Sequence, residues 1–146
     1  MANLATGGQP RPLLHPGFIA TGSALLMAAF ATDVMYYQTS LMEWANFSTW
    51  LISAGLVIAL VATLFLVIDF VIHRAARIAW VPFVLVAAAA LLSLLNAFVH
   101  SRDAWTSVVP QGIALSFIVT VLLLISAFVY GWRVTTPRIA DLGVRS

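Results

Sequence analysis

Four long stretches without a mid-span charge constrain this chain more than anything else in it. They run over about residues 16–36, 46–72, 78–100 and 106–132, and Asp33 and Asp69 are the acidic groups inside them, each near an end. A bilayer core of about 30 Å needs about 20 apolar residues in helical form to cross it. Each stretch meets that length. Only 8% of the 146 residues are charged and 62% are apolar, with a mean hydropathy of +1.03, whereas soluble domains carry about 25% charged residues. Too few charges are present to cover a water-facing surface. The pattern predicts an all-α bundle of four transmembrane helices, a single multi-pass membrane domain with short polar tails.

The segment from Arg11 through Ala29-Phe30-Ala31 also imitates a secretory signal with an A-x-A cleavage site. Cleavage there would leave three helices; the four-span reading keeps it as the first. Short connections predict antiparallel neighbours, and Pro82 falls early in the third helix, where its missing N–H costs little.

Orientation follows from arginine, since lysine is absent. With four crossings, Arg11, Arg74, Arg77, Arg133, Arg138 and Arg145 share one side, and Arg102 stands alone on the other. Cytoplasmic loops hold the basic excess, so both termini are expected in the cytoplasm of a bacterial inner membrane. The aromatic belt agrees: Tyr36, Tyr37, Trp44, Trp50 and Trp105 gather toward one interface, and Trp80, Tyr130 and Trp132 toward the other. Helices in lipid associate through small residues and polar contacts. Ala20, Ala24, Ala28 and Ala31 or Thr32 form a small stripe at four-residue spacing, Gly55, Ala59 and Ala62 another, and Ala87 to Ala90 a third. Each stripe is expected to mark a helix–helix seam.

Composition excludes much chemistry. With no cysteine, disulfides, iron–sulfur clusters and thiolate metal sites are out. A net charge of +2, scattered along the chain, gives no basic face for nucleic acid. No nucleophile–base–orienter set is visible, so no catalytic residue and no metal site is assigned. The mid-bilayer positions hold only Ser, Thr, Gly and apolar groups, which disfavours a charged-substrate transporter.

Ionisable groups in spans mark functional candidates because burial is costly. A rise of about 1.5 Å per residue separates His15 from Asp33 by about 27 Å, at opposite ends of the first helix. An inner polar cluster therefore comprises His15, Asp69, His73, Arg74 and Arg77. One reading has these groups pair and snorkel to the headgroups; another has His15 and His73, matched in depth, hold haem b; a third is a quinone or anionic-lipid headgroup site. The outer cluster comprises Asp33, Glu43, Asn96, His100, Arg102 and Asp103. Ser93, Asn96 and His100 share one helix face at i, i+3, i+7. It reads either as interhelical hydrogen bonding with an end cap, or as a polar pocket that docks a partner or a quinone.

The sequence pieces so far noted add up to a resemblance. His15-Pro16, Asp33 with Tyr36-Tyr37, WLISAGLVIALVATLFLVIDF over Trp50 to Phe70, Arg74 with Arg77, and above all NAFVHSRDAWTSVVPQGIALS over Asn96 to Ser116 resemble the bacterial membrane family known as domain of unknown function 2231. The resemblance covers nearly the whole chain. It implies a four-helix inner-membrane domain without an assigned activity, found in the company of periplasmic quinoprotein sugar dehydrogenases. Relatives often carry histidines where this chain has Ala20 and Pro82, and a tyrosine-arginine-histidine ending where it has Gly143-Val144, so the resemblance implies a weaker case for haem here. The resulting expectation is a non-catalytic subunit, an anchor or assembly partner for a membrane or periplasmic oxidation complex. The alternatives are an electron-transfer component with haem b or quinone, and a small-molecule transporter.

Overall fold

The computed structural model describes residues 16–71, 80–102 and 108–135; the side chains of 16, 69, 70 and 132–135 are excluded. Four helices follow in order: α1 (Pro16–Thr39), α2 (Met42–Val71), α3 (Trp80–His100) and α4 (Gln111–Thr135). All four are long and apolar enough to cross a membrane. They close into a ring in which α1 packs on α2, α2 on α3, α3 on α4 and α4 on α1, the two hairpin pairs most extensively.

Two boundaries differ from expectation, each for a local reason. The link between α1 and α2 shrinks to two residues. Ser40 takes a left-handed φ of 55°, and its N–H donates to the Tyr36 carbonyl at 2.7 Å, which ends the helix and turns the chain at once. Thus α1 runs three residues beyond Tyr36 and α2 starts at Met42. The fourth helix begins five residues later than 106, just past Pro110, which has no N–H to give and favours a helix start. The carbonyls of Val108 and Pro110 accept from Ile113 and Ala114 there.

The buried faces have heptad-like spacing. On α1 the buried positions are Gly22, Leu26, Ala29, Asp33 and Tyr36; on α2 they are Ala45, Ser48, Ile52, Gly55 and Ala62. On α3, Ala89, Ser93, Asn96, Val99 and His100 are buried, and on α4, Gly112, Ser116, Val119, Leu123 and Ser126. The seams of α2 and α3 pass through two of the expected small stripes. The stripe of α1 does not mark a seam: Ala20, Ala24 and Ala31 are exposed. Its buried residues lie on nearly the opposite side, because rotating Asp33 inward turns that alanine face outward. Two glycines let α1 and α2 touch. A Cβ on Gly55 would meet Leu26 Cδ2 at 2.8 Å and the Gly22 carbonyl oxygen at 3.3 Å.

Away from these seams, large apolar side chains cover the outside. Val57, Leu60, Leu64, Leu91, Leu95, Phe98, Leu124 and Phe128 are all exposed. In water that surface would be untenable; against lipid tails it is the expected covering.

Candidate functional site

Each hairpin turns back after a similar number of residues, and that symmetry brings polar side chains to one depth. Asp33 lies six residues before the end of α1 and Ser48 six residues after the start of α2. Asn96 lies four before the end of α3 and Ser116 five after the start of α4. A rise of about 1.5 Å per residue places all of them about 6–9 Å below the helix ends. All four helices thus contribute to one cluster: Asp33, Ser48, Asn96, His100 and Ser116.

Its centre is the Asp33 carboxylate, 0% exposed. Ser48 Oγ donates to Oδ1 at 2.5 Å, and Ser116 Oγ donates to Oδ2 at 2.5 Å. His100 Nε2 stands 2.9 Å from Oδ1 and 3.2 Å from Ser48 Oγ. The other ring nitrogen, Nδ1, is 3.1 Å from the Asn96 carbonyl oxygen, one turn back on the same helix. Asn96 Nδ2 donates to Ser116 Oγ at 2.7 Å, which makes a chain from amide to hydroxyl to carboxylate. Ser48 Oγ is also within 3.3 Å of the Ala29 carbonyl. Asn96 Oδ1 is the buried side-chain atom left without a partner.

The cluster lies buried between two apolar groups. Toward the helix ends lie Tyr36, Ala45 and Val108, with Trp44, Val109 and Ile113 packed on them. Toward the bilayer centre lie Leu26, Ala89, Val119 and Leu123. An open recess of about 280 Å³ lined by Gly17, Phe18, Thr21 and Ile58 is elsewhere, near the start of α1.

The geometry constrains the chemistry. A serine nucleophile needs an imidazole held through one nitrogen by a carboxylate and facing the hydroxyl with the other. Here Ser48 and Asp33 crowd the same nitrogen and Nδ1 is committed to backbone, so no such relay exists. Among the described residues, no three His, Asp or Glu side chains come together as a metal would require. What the arrangement does is bind hairpins together, since Asp33 and Ser48 come from one and Asn96, His100 and Ser116 from the other.

Of the outer residues singled out from sequence, Asp33, Asn96 and His100 meet in this cluster. Their polar atoms point inward beneath the apolar cap, not into an open pocket. Arg102 does not join them; its Nη1 donates to Gln111 Oε1 at 2.7 Å on the exposed rim. Glu43 is exposed in the first turn of α2. Asp103 lies outside the described residues, as do His15, His73, Arg74, Arg77 and the side chain of Asp69. Ser48 and Ser116 were missed by sequence reasoning. Counting outward from the α1–α2 turn would have placed Ser48 beside Asp33, whereas Ser116 lies on the other hairpin.

No curated protein and no solved structure matches the chain. The family described as Predicted membrane protein (DUF2231) matches residues 11–140. Nearly the entire chain, including every residue of the cluster, falls inside that match, and the chain therefore belongs to this family of multi-pass membrane proteins.

Proposed function

We propose that the protein is a non-catalytic subunit of the bacterial inner membrane, an anchor or assembly partner for a larger membrane or periplasmic oxidation complex. The observation that carries this reading is the closure of the Asp33 cluster. Its carboxylate, imidazole and hydroxyls are engaged with one another beneath an apolar cap, so substrate has no approach to them. The bundle centre beyond is filled by Leu26, Ala89, Val119 and Leu123, which leaves no polar route across it and speaks against transport. Contact with other molecules is left to the outer surface and the two rims.

The arginine distribution supports cytoplasmic termini, with the Asp33 end toward the periplasm. Trp50, 75% exposed, and Tyr37, 58% exposed, stand near that end, where amphipathic rings favour the interface and a periplasmic partner would arrive. The test is mild-detergent extraction from the native membrane followed by native mass spectrometry. A stoichiometric complex with an oxidoreductase subunit is expected; recovery of this chain alone overturns the reading. Orientation is checked with single cysteines. Ser101→Cys is expected to react with an impermeant maleimide in intact spheroplasts, and Ser146→Cys only after permeabilisation.

A further inference from the structure

The contacts of His100 and Asp33 together constrain where their protons sit. Nδ1 faces the Asn96 carbonyl oxygen, which can only accept, so Nδ1 must carry a proton. Nε2 faces Asp33 Oδ1 and Ser48 Oγ. Oδ1 already accepts the single hydroxyl proton of Ser48, and Oδ2 accepts that of Ser116. A neutral imidazole protonated on Nδ1 would set the Nε2 lone pair against a carboxylate lone pair at 2.9 Å. The Ser48 hydroxyl could relieve that by turning to Nε2, but only by abandoning Oδ1. A neutral imidazole protonated on Nε2 would set the Nδ1 lone pair against a carbonyl. Either neutral tautomer leaves one opposed pair of acceptors, and a buried acceptor without a donor is disfavoured. With protons on both nitrogens every contact closes: Nδ1–H to Asn96 O, Nε2–H shared between Oδ1 and Ser48 Oγ, and both hydroxyls to the carboxylate. A proton on Asp33 Oδ1 donated to Nε2 would close them too, but the serine bonds of 2.5 Å to both carboxyl oxygens have the length of hydroxyl bonds to an ionised carboxylate.

We infer that the cluster is a one-proton site, an imidazolium–carboxylate pair of His100 and Asp33, whose proton latches the α1–α2 hairpin to the α3–α4 hairpin. The facing groups favour this. On α1 the ionisable neighbour is Tyr36, one turn beyond Asp33; α2 presents Ser48, with Glu43 outside on the exposed surface. On α3, Arg102 turns to Gln111 at the rim, and α4 presents Ser116. Among the described residues, Asp33 is thus the anion that meets the imidazolium. The pair is neutral overall with its proton aboard and carries one uncompensated negative charge without it. Proton loss therefore leaves a buried charge between the hairpins, which only separation of the helix ends and entry of water can solvate. This depends on the cluster alone and not on whether the protein serves as a subunit.

The experiment is ¹⁵N spectroscopy of histidine-labelled full-length protein in lipid nanodiscs, with the His100 signal assigned by its loss in His100→Gln. The expected result is two protonated ring nitrogens at neutral pH, and one after Asp33→Asn. A single protonated nitrogen in the native protein overturns the inference on its own, so the test survives if the variant does not fold. For the latch, spin labels go on Leu41→Cys and Ser101→Cys, both exposed, in a chain with no cysteine of its own. Their separation is expected to lengthen in His100→Gln, where the Asp33 carboxylate has lost the partner that brings the proton. An unchanged separation in that variant overturns the latch.

Discussion

Among the described residues, the bundle is held by different means along its length. At the end with the α1–α2 turn, five polar side chains from four helices form one connected network around Asp33. Among the described residues at the end where α1 begins, Ser126 Oγ donates to the Pro82 carbonyl at 3.2 Å, and Phe18 stacks on Phe65 at 5.7 Å. Between them α1 and α2 touch through Gly22 and Gly55. In water, the apolar middle would supply most of the stability. In lipid, moving a leucine from acyl chains to the core gains little, and what remains is close packing and hydrogen bonding. The Asp33 network should therefore be disproportionately sensitive to single changes.

The largest effect is expected from unpairing the buried charges. Asp33→Ala or His100→Ala leaves its partner buried without a counter-ion, a loss of about 3–5 kcal/mol where such pairs have been broken. The readout is unfolding in mixed micelles of rising SDS content, followed by circular dichroism. The sharper form of the test is the double replacement Asp33→Leu with His100→Leu, which removes both charges and keeps apolar volume. It is expected to recover most of the loss, because replacing a whole buried pair by packed hydrophobes is often neutral. A double variant as unstable as the sum of the singles would show that the serines and Asn96, not the pair, bind the hairpins.

Smaller effects are expected away from the cluster. Gly55→Val places branched carbons where even a Cβ comes within 2.8 Å of Leu26, and overpacking of this kind costs about 1–3 kcal/mol. Gly17→Ala, where an added Cβ meets nothing within 4 Å, is its neutral control. Leu123→Ala, in the apolar core, should cost less than the roughly 2–5 kcal/mol of the same truncation in a water-soluble protein, since the lost transfer term is nearly absent in lipid. A loss within that soluble range would mean that the apolar middle stabilises the bundle as strongly as a core in water does. The same micelle titration measures all three.

How far these features were legible in the sequence depends on the physics behind each. Four helices could be read from apolar length alone, because a bilayer leaves backbone polar groups no other way to be satisfied across a span. The inward face of α3 could be read from Ser93, Asn96 and His100, since spacing on one helix fixes relative direction. The inward face of α1 was misjudged from its alanines. Small residues say that a close approach is permitted, whereas Asp33 says which side cannot face lipid, and the carboxylate prevails. Meetings between helices were harder. Nothing along the chain ties Ser48 to Ser116, 68 positions apart. Their convergence on Asp33 depends on where each turn falls, and turns are set by local backbone geometry that apolar patterning does not encode.

The smallest effect tests that last point at the α1–α2 turn. Ser40 sits at φ 55°, a left-handed conformation that costs an ordinary side chain about 1–2 kcal/mol and glycine almost nothing. Its N–H bond to Tyr36 is backbone to backbone and survives substitution. Ser40→Gly should relieve the strain, partly offset by the greater freedom of glycine in the unfolded chain, for a net gain below about 1 kcal/mol. Ser40→Val, β-branched and averse to positive φ, should instead lose about 1–2 kcal/mol. Because this turn sets the depth at which Ser48 faces Asp33, the valine variant should also disturb the ¹⁵N signature of His100 while leaving far-UV helicity unchanged. Loss of stability without any change at His100 would mean that the cluster holds its register independently of the turn above it.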